Sequence, residues 1–91
     1  MRRKLLIVDD EKGIVDMLAG YFAAWYDVLT AYSGGEALQR VAACPDLILL
    51  DINMPGMDGL AVCRKIREYV TCPILFLTAR VESADQIVGF R

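Results

Sequence analysis

Residues 47–51 read Leu47-Ile48-Leu49-Leu50-Asp51, four aliphatic side chains closed by a carboxylate. The opening of the chain has the same form, Leu5-Leu6-Ile7-Val8 followed by Asp9-Asp10-Glu11. Aliphatic runs without polar alternation suit strands covered on both faces, as in a parallel sheet. Between the two runs the period changes. Ile14, Leu18 and Phe22 recur every fourth residue, with Val15 beside them, and predict an amphipathic helix over 12–24. Gly13 and Gly20 weaken that helix slightly. Tyr26 to Ala31, with Val28 and Thr30, reads as a short strand.

Ser33 and Glu36 have the spacing of a capping box, and Ala37, Leu38 and Val41 give the following helix its apolar face. Pro45 ends it. Beyond Asp51, the stretch Met54-Pro55-Gly56-Met57-Asp58-Gly59 is dense in turn residues. Leu60 to Tyr69 returns to helical spacing through Val62, Cys63 and Ile66. Pro73 opens a fourth strand, Ile74 to Leu77, and Thr78-Ala79-Arg80 follows. The tail from Glu82 to Phe90 predicts a fourth helix around Ile87 and Val88. Strand and helix therefore alternate throughout. That order predicts an α/β fold with right-handed crossovers, a doubly wound parallel sheet with helices on both faces.

The chain has 91 residues, enough for one domain. Apolar residues make up 56% and charged residues 24%, which argues against disorder. There is no histidine, so imidazole base chemistry and histidine-ligated metal sites are excluded. A net charge of -2 is a poor basis for binding nucleic acid. The three cysteines, at 44, 63 and 72, are too far apart for a CxxC motif and odd in number for a disulfide framework. They fit a reducing compartment. The apolar run after Met1-Arg2-Arg3-Lys4 is too short for a signal peptide or a membrane span, so a cytoplasmic location without membrane attachment is expected.

Asp9 and Asp10 follow the first strand, Asp51 ends the third, and Thr78 follows the fourth. C-terminal strand ends share one edge of a parallel sheet, the edge where open α/β sheets bind ligands. Three carboxylates gathered there repel one another unless a cation neutralises them. Mg²⁺ with oxygen ligands is the usual partner, and it accepts phosphate oxygens readily. The arrangement suits phosphoryl transfer, with one carboxylate as nucleophile. A plainer reading stands beside this one. Acids at strand ends are common in loops, and Asp9 is equally suited to cap the next helix. Asp58 reads as a turn or capping residue, Glu11 and Asp27 as solvated, and Trp25 and Tyr26 as core packing.

Three segments together resemble the receiver domain of bacterial two-component response regulators. They are Leu-Leu-Ile-Val-Asp-Asp-Glu at 5–11, Leu-Leu-Asp-Ile-Asn-Met-Pro-Gly-Met-Asp-Gly at 49–59, and Pro-Ile-Leu-Phe-Leu-Thr-Ala-Arg at 73–80. The resemblance implies a flavodoxin-like fold with Asp51 as the phosphorylated aspartate. It implies that Asp9 and Asp10 organise Mg²⁺ or Mn²⁺, with Asp10 the direct ligand. Asp51 and the main-chain carbonyl of Asn53 then complete the metal site. Thr78 matches the switch hydroxyl, and Ala79 a small residue whose backbone N–H reaches the phosphoryl group.

The family also has a fifth strand, a lysine at or just before its start, and a fifth helix. None has a counterpart in 1–91, which read as one partial receiver domain incomplete at its C-terminus. Ile74 to Leu77 is then expected to be an open sheet edge, with apolar surface uncovered.

The resemblance further implies a sensor histidine kinase as partner. Asp51 would accept the phosphoryl group and the domain would catalyse its own transfer and hydrolysis when complete, without being a conventional enzyme. The output is expected to be transcriptional, as in OmpR-like winged-helix regulators. DNA would be contacted only through an effector domain, and a homodimer would form through the fourth-helix region or an exchanged element. Two alternatives remain: a phosphorylation-independent interaction domain, and a Mg²⁺-dependent phosphatase. The phosphatase is disfavoured because Asp9 and Asp10 are adjacent where a DxD pair is usual.

Overall fold

The continuous aliphatic runs carry a hidden two-residue period, and the two faces of the sheet divide them. The computed structural model describes residues 2–52 and 58–77, and the backbone of residues 88 and 89. Four parallel strands form the body of its five-stranded sheet: β1 (Lys4–Val8), β2 (Asp27–Ala31), β3 (Leu47–Asp51) and β4 (Ile74–Leu77). They lie in the order β2-β1-β3-β4. The helices are α1 (Lys12–Phe22), α2 (Gly34–Arg40) and α3 (Gly59–Ile66), and a single 3-10 turn, Val41–Ala43, follows α2.

Leu5 and Ile7 of β1 and Leu49 of β3 pack with Val15, Leu18 and Phe22 of α1 on one face. Leu6, Val8, Ile48 and Leu50 point the other way, into a second core with Ala37, Val62 and Ile66 from α2 and α3. Every residue of Leu5–Val8 is fully buried, which accounts for the absence of polar alternation. The expected doubly wound α/β architecture is present, with helices on both faces.

The local signals act as their chemistry requires. Ser33 Oγ accepts the Glu36 N–H at 3.1 Å. The Glu36 carboxylate reaches back to the N–H of Tyr32, 2.8 Å away, one residue before the cap. Asp58 caps α3, its Oδ1 accepting the Leu60 N–H at 3.0 Å. The capping reading of Asp58 therefore holds. Glu11 and Asp27 are exposed as expected, Asp27 lying 3.7 Å from Arg2 in a surface ion pair.

Three expectations need correction. Trp25 is not core: it is 60% exposed, and only Tyr26 packs against the α1-side core. The helix stops at Phe22 and a turn follows, so Trp25 leaves the phase of the buried stripe. Val88 is not helical either. With Gly89 it forms a two-residue strand, β5 (Val88–Gly89), antiparallel to β4. Phe76 pairs with Val88 and Leu75 with Gly89, so the outer edge of β4 is not left open over these residues. The rest of the predicted fourth helix lies outside the described residues. The cover over β4 is nevertheless unequal: Ile74 and Phe76 are buried, while Leu75 and Leu77, on the α1 side, are half-buried.

Gly59 opens α3 against the backbone that leaves β3. A Cβ there would stand 2.6 Å from the Ile52 Cα and 2.7 Å from the Asp51 carbonyl oxygen. Those neighbours are backbone atoms and cannot swing aside. Gly20, on the solvent side of α1, has nothing within 4 Å of the same position. Opposite responses to one substitution are expected in urea unfolding. Gly59→Ala loses at least about 2 kcal/mol through overpacking. Gly20→Ala gains about 0.5–1 kcal/mol from helix propensity.

Candidate metal and phosphoacceptor site

The chain passes from β1 outward to β2 and then returns to β3 on the other side of β1. This reversal makes a crevice at the C-terminal ends of β1 and β3. In the β1–β3 register Val8 stands opposite Leu50. The next residues on each side are Asp9 and Asp51, which the shared register brings together although they are far apart in sequence.

One oxygen from each of Asp9, Asp10 and Asp51 can be chosen so that all three lie within 4.8 Å of one another. Asp9 and Asp51 are buried, at 4% and 3% exposure, whereas Asp10 is open to solvent. The Asp9 N–H donates to the Ala31 carbonyl of β2 at 3.2 Å, which fixes the first turn out of β1. Its Oδ1 accepts the N–H of Glu11 at 3.1 Å. Glu11 is the residue preceding α1 and offers no side-chain cap of its own. Asp9 therefore holds the entry to α1 without being its N-cap.

The Asp9 carboxyl stands at about 6 in net against an ordinary value of 3.8, burial being the largest cause. The Glu11 N–H pulls it down; the charge of Asp51 and hydrogen bonds to Asp10 and Asp51 push it further up. The ionised form of Asp9 is thus less favoured than in an ordinary aspartate, although at pH 7 the group is still mostly a carboxylate. The donors are all carboxylate oxygens, two of them withdrawn from water, and that chemistry fits a hard divalent cation such as Mg²⁺ or Mn²⁺.

The floor beneath the cluster is held by main-chain bonds. The Ile52 N–H donates to the Leu77 carbonyl at 3.1 Å, and the Gly59 N–H to the Ile52 carbonyl at 3.1 Å. These tie the exit of β3 to the end of β4 and the start of α3. In the sequence Gly59 is one more residue of a turn-dense stretch. The Asp58-Gly59 pair gave no local sign that the glycine lies against Ile52. Of the residues expected at the site, Asp9, Asp10 and Asp51 come together. Asn53, Thr78 and Ala79 lie outside the described residues.

A family model for the response regulator receiver domain matches residues 5–91. Solved structures agree. The N-terminal domain of a response regulator/sensory box/GGDEF 3-domain protein from Carboxydothermus hydrogenoformans is 37% identical, with a TM-score of 0.79 over 90% of this chain and 69% of that one. The Vibrio cholerae chemotaxis protein CheY4 is 36% identical, with a TM-score of 0.81 over 90% of this chain and 72% of that one. The BeF3-activated N-terminal receiver domain of Klebsiella pneumoniae RstA is 34% identical, with a TM-score of 0.78 over 90% and 71% of the two chains. Three carboxylates at the switch point of a doubly wound sheet, together with these matches, show that this chain belongs to the response regulator receiver family.

Proposed function

We propose that the protein is a phosphoacceptor receiver, taking a phosphoryl group on Asp51 from a sensor histidine kinase in the cytoplasm. The observation that carries this reading is the convergence of Asp9, Asp10 and Asp51 at one sheet edge. Asp51 is the nucleophile in this assignment. A carboxylate oxygen of Asp51 attacks phosphorus as the P–N bond of a phosphohistidine breaks, and the released imidazole takes up a proton. Asp9, Asp10 and Asp51, with the main-chain carbonyl of Asn53, would hold the divalent cation. When bound, that cation neutralises the carboxylates and the charge on the transferring group.

Thr78 and Ala79 follow β4 in the chain, and β4 pairs with β3 so that Leu77 stands beside Asp51. We assign the Thr78 hydroxyl and the Ala79 N–H to the phosphoryl oxygens on that basis and on the family motif. Repositioning of Thr78 then biases the surface around β4. The output is transcriptional in this proposal, through an effector domain that contacts DNA. No helix among the described residues is long and apolar enough to cross a membrane.

Incubating the intact gene product with acetyl phosphate and Mg²⁺ is expected to add one phosphoryl group, mapped to Asp51 after borohydride trapping. Asp51→Asn abolishes the label, and chelation of the metal reduces it by at least about 100-fold. Labelling elsewhere, or none in a folded protein, defeats the assignment.

The raised carboxyl of Asp9 opposes stability. Because its folded value lies above the unfolded one, the folded state binds the proton more tightly. Metal-free stability should therefore fall as pH rises from about 4 to about 6 and stay lower above that range. Asp9→Asn keeps an oxygen for the Glu11 N–H while removing the charge. Without metal at pH 7 it is expected to gain about 1–3 kcal/mol in thermal or urea unfolding, and to lose that pH dependence. It should also lose at least about tenfold in Mg²⁺ affinity, measured by the metal-induced rise in Tm.

A further inference from the structure

Two Cys-Pro pairs occur in the chain, Cys44-Pro45 and Cys72-Pro73, and each directly precedes a strand. The strands are β3 and β4, which are hydrogen-bonded neighbours. The Ile48 N–H donates to the Pro73 carbonyl at 3.1 Å, and Ile48 is in register with Ile74. Carrying that register back by two residues sets Cys72 beside Asp46. Burial raises the Cys72 thiol and Arg67 lowers it; the charge of Asp46 adds a smaller upward push, in agreement with this placement. Cys44 lies two residues further back. Both cysteines line one open cavity of about 470 Å³, with Arg3, Asp46 and Tyr69, at the N-terminal edge of the sheet. The acidic cluster is at the opposite edge.

The two thiols differ in a way that suits sequential chemistry. Cys44 is exposed, and Cys72 is half-buried. Cys44 has φ 59° and ψ 63°, a left-handed conformation that glycine or asparagine ordinarily fills. This bend takes the chain out of the strand direction beside the cavity. Cys72 faces Asp46 across strands about 4.7–4.9 Å apart, and the two residues back to Cys44 add about 6–7 Å along the strand direction, so the pair starts beyond direct disulfide reach. A disulfide spans Cα separations of about 4.4–6.8 Å. Closure requires the exposed Cys44 loop to move toward Cys72 across the cavity they share. Cys63 is excluded from this chemistry: it is 2% exposed, packed in the core under α3, and lines a different cavity.

The geometry points to Cys44 and Cys72 as a peroxide-oxidisable dithiol that closes a disulfide across the starts of β3 and β4. The thiolate of Cys44 attacks one oxygen of hydrogen peroxide, the O–O bond breaks, and a sulfenic acid and hydroxide form. Cys72 then attacks the Cys44 sulfur, the S–S bond forms, and the sulfenic oxygen leaves as water with the Cys72 proton. In sum the two thiols lose two electrons and two protons, and the peroxide becomes two waters. The resulting covalent ring encloses β3 and α3, the segment that carries Asp51 and Gly59.

The test is mild hydrogen peroxide treatment of the protein, followed by alkylation under denaturing conditions and intact-mass analysis. The expected product is a monomer lighter by two hydrogens in which one thiol of three alkylates, and that thiol maps to Cys63. Dithiothreitol restores all three. Cys72→Ser leaves a sulfenic acid on Cys44 that dimedone captures, and Cys44→Ser gives no intramolecular disulfide. The oxidised protein melts several degrees higher than the reduced one, and reduction reverses the shift. Three alkylating thiols after peroxide, a disulfide that includes Cys63, or cross-linking only between chains would overturn the proposal. So would irreversible oxidation of Cys44 with Cys72 still free.

Discussion

The register between β1 and β3 is the constraint on which the rest depends. Ile7 opposite Leu49 and Val8 opposite Leu50 send alternate side chains to the two faces of the sheet. A slip by one residue would turn every one of them over and exchange the α1-side core with the other. The same register sets Asp9 beside Asp51. Packing and site geometry are therefore one specification: the apolar pairs hold the carboxylates close, and the carboxylates repel. Burial of seven aliphatic side chains in two central strands outweighs that repulsion, each such side chain contributing about 1.5–3 kcal/mol.

Much of this was visible in the chain. Strands buried on both faces leave uninterrupted aliphatic runs, so the bounds read for Ile74–Leu77 coincide with β4, and those for the run ending at Asp51 coincide with β3. Carboxylates at strand ends were legible for the same reason, since a polar residue that stops such a run marks its exit from the core. The capping box at Ser33 was equally readable because its partners are local.

What was hidden is non-local or depends on helical phase. Gly59 is required by Ile52, whose backbone it meets only after an intervening turn, and no spacing rule records that approach. The sequence around Val88 reads as helical, yet pairing with Phe76 decides its conformation, as tertiary context overrides propensity. Trp25 follows Phe22 and looks like a continuation of the apolar stripe. The helix ends first, and the indole is left facing solvent.

The all-parallel joining of β1, β2, β3 and β4 has a kinetic side. No neighbouring pair among these strands is connected by a hairpin; each needs a crossover through a helix before its first ladder bond can form. Chain closure must precede the contacts that reward it, so such topologies fold more slowly than ones built from local pairs. Asp9 and Asp51 meet only once β1 and β3 are aligned. In the unfolded chain they are too far apart in sequence to be held close, so their mutual repulsion belongs to the assembled sheet. It bears on how long the native state lasts more than on how the chain begins to collapse.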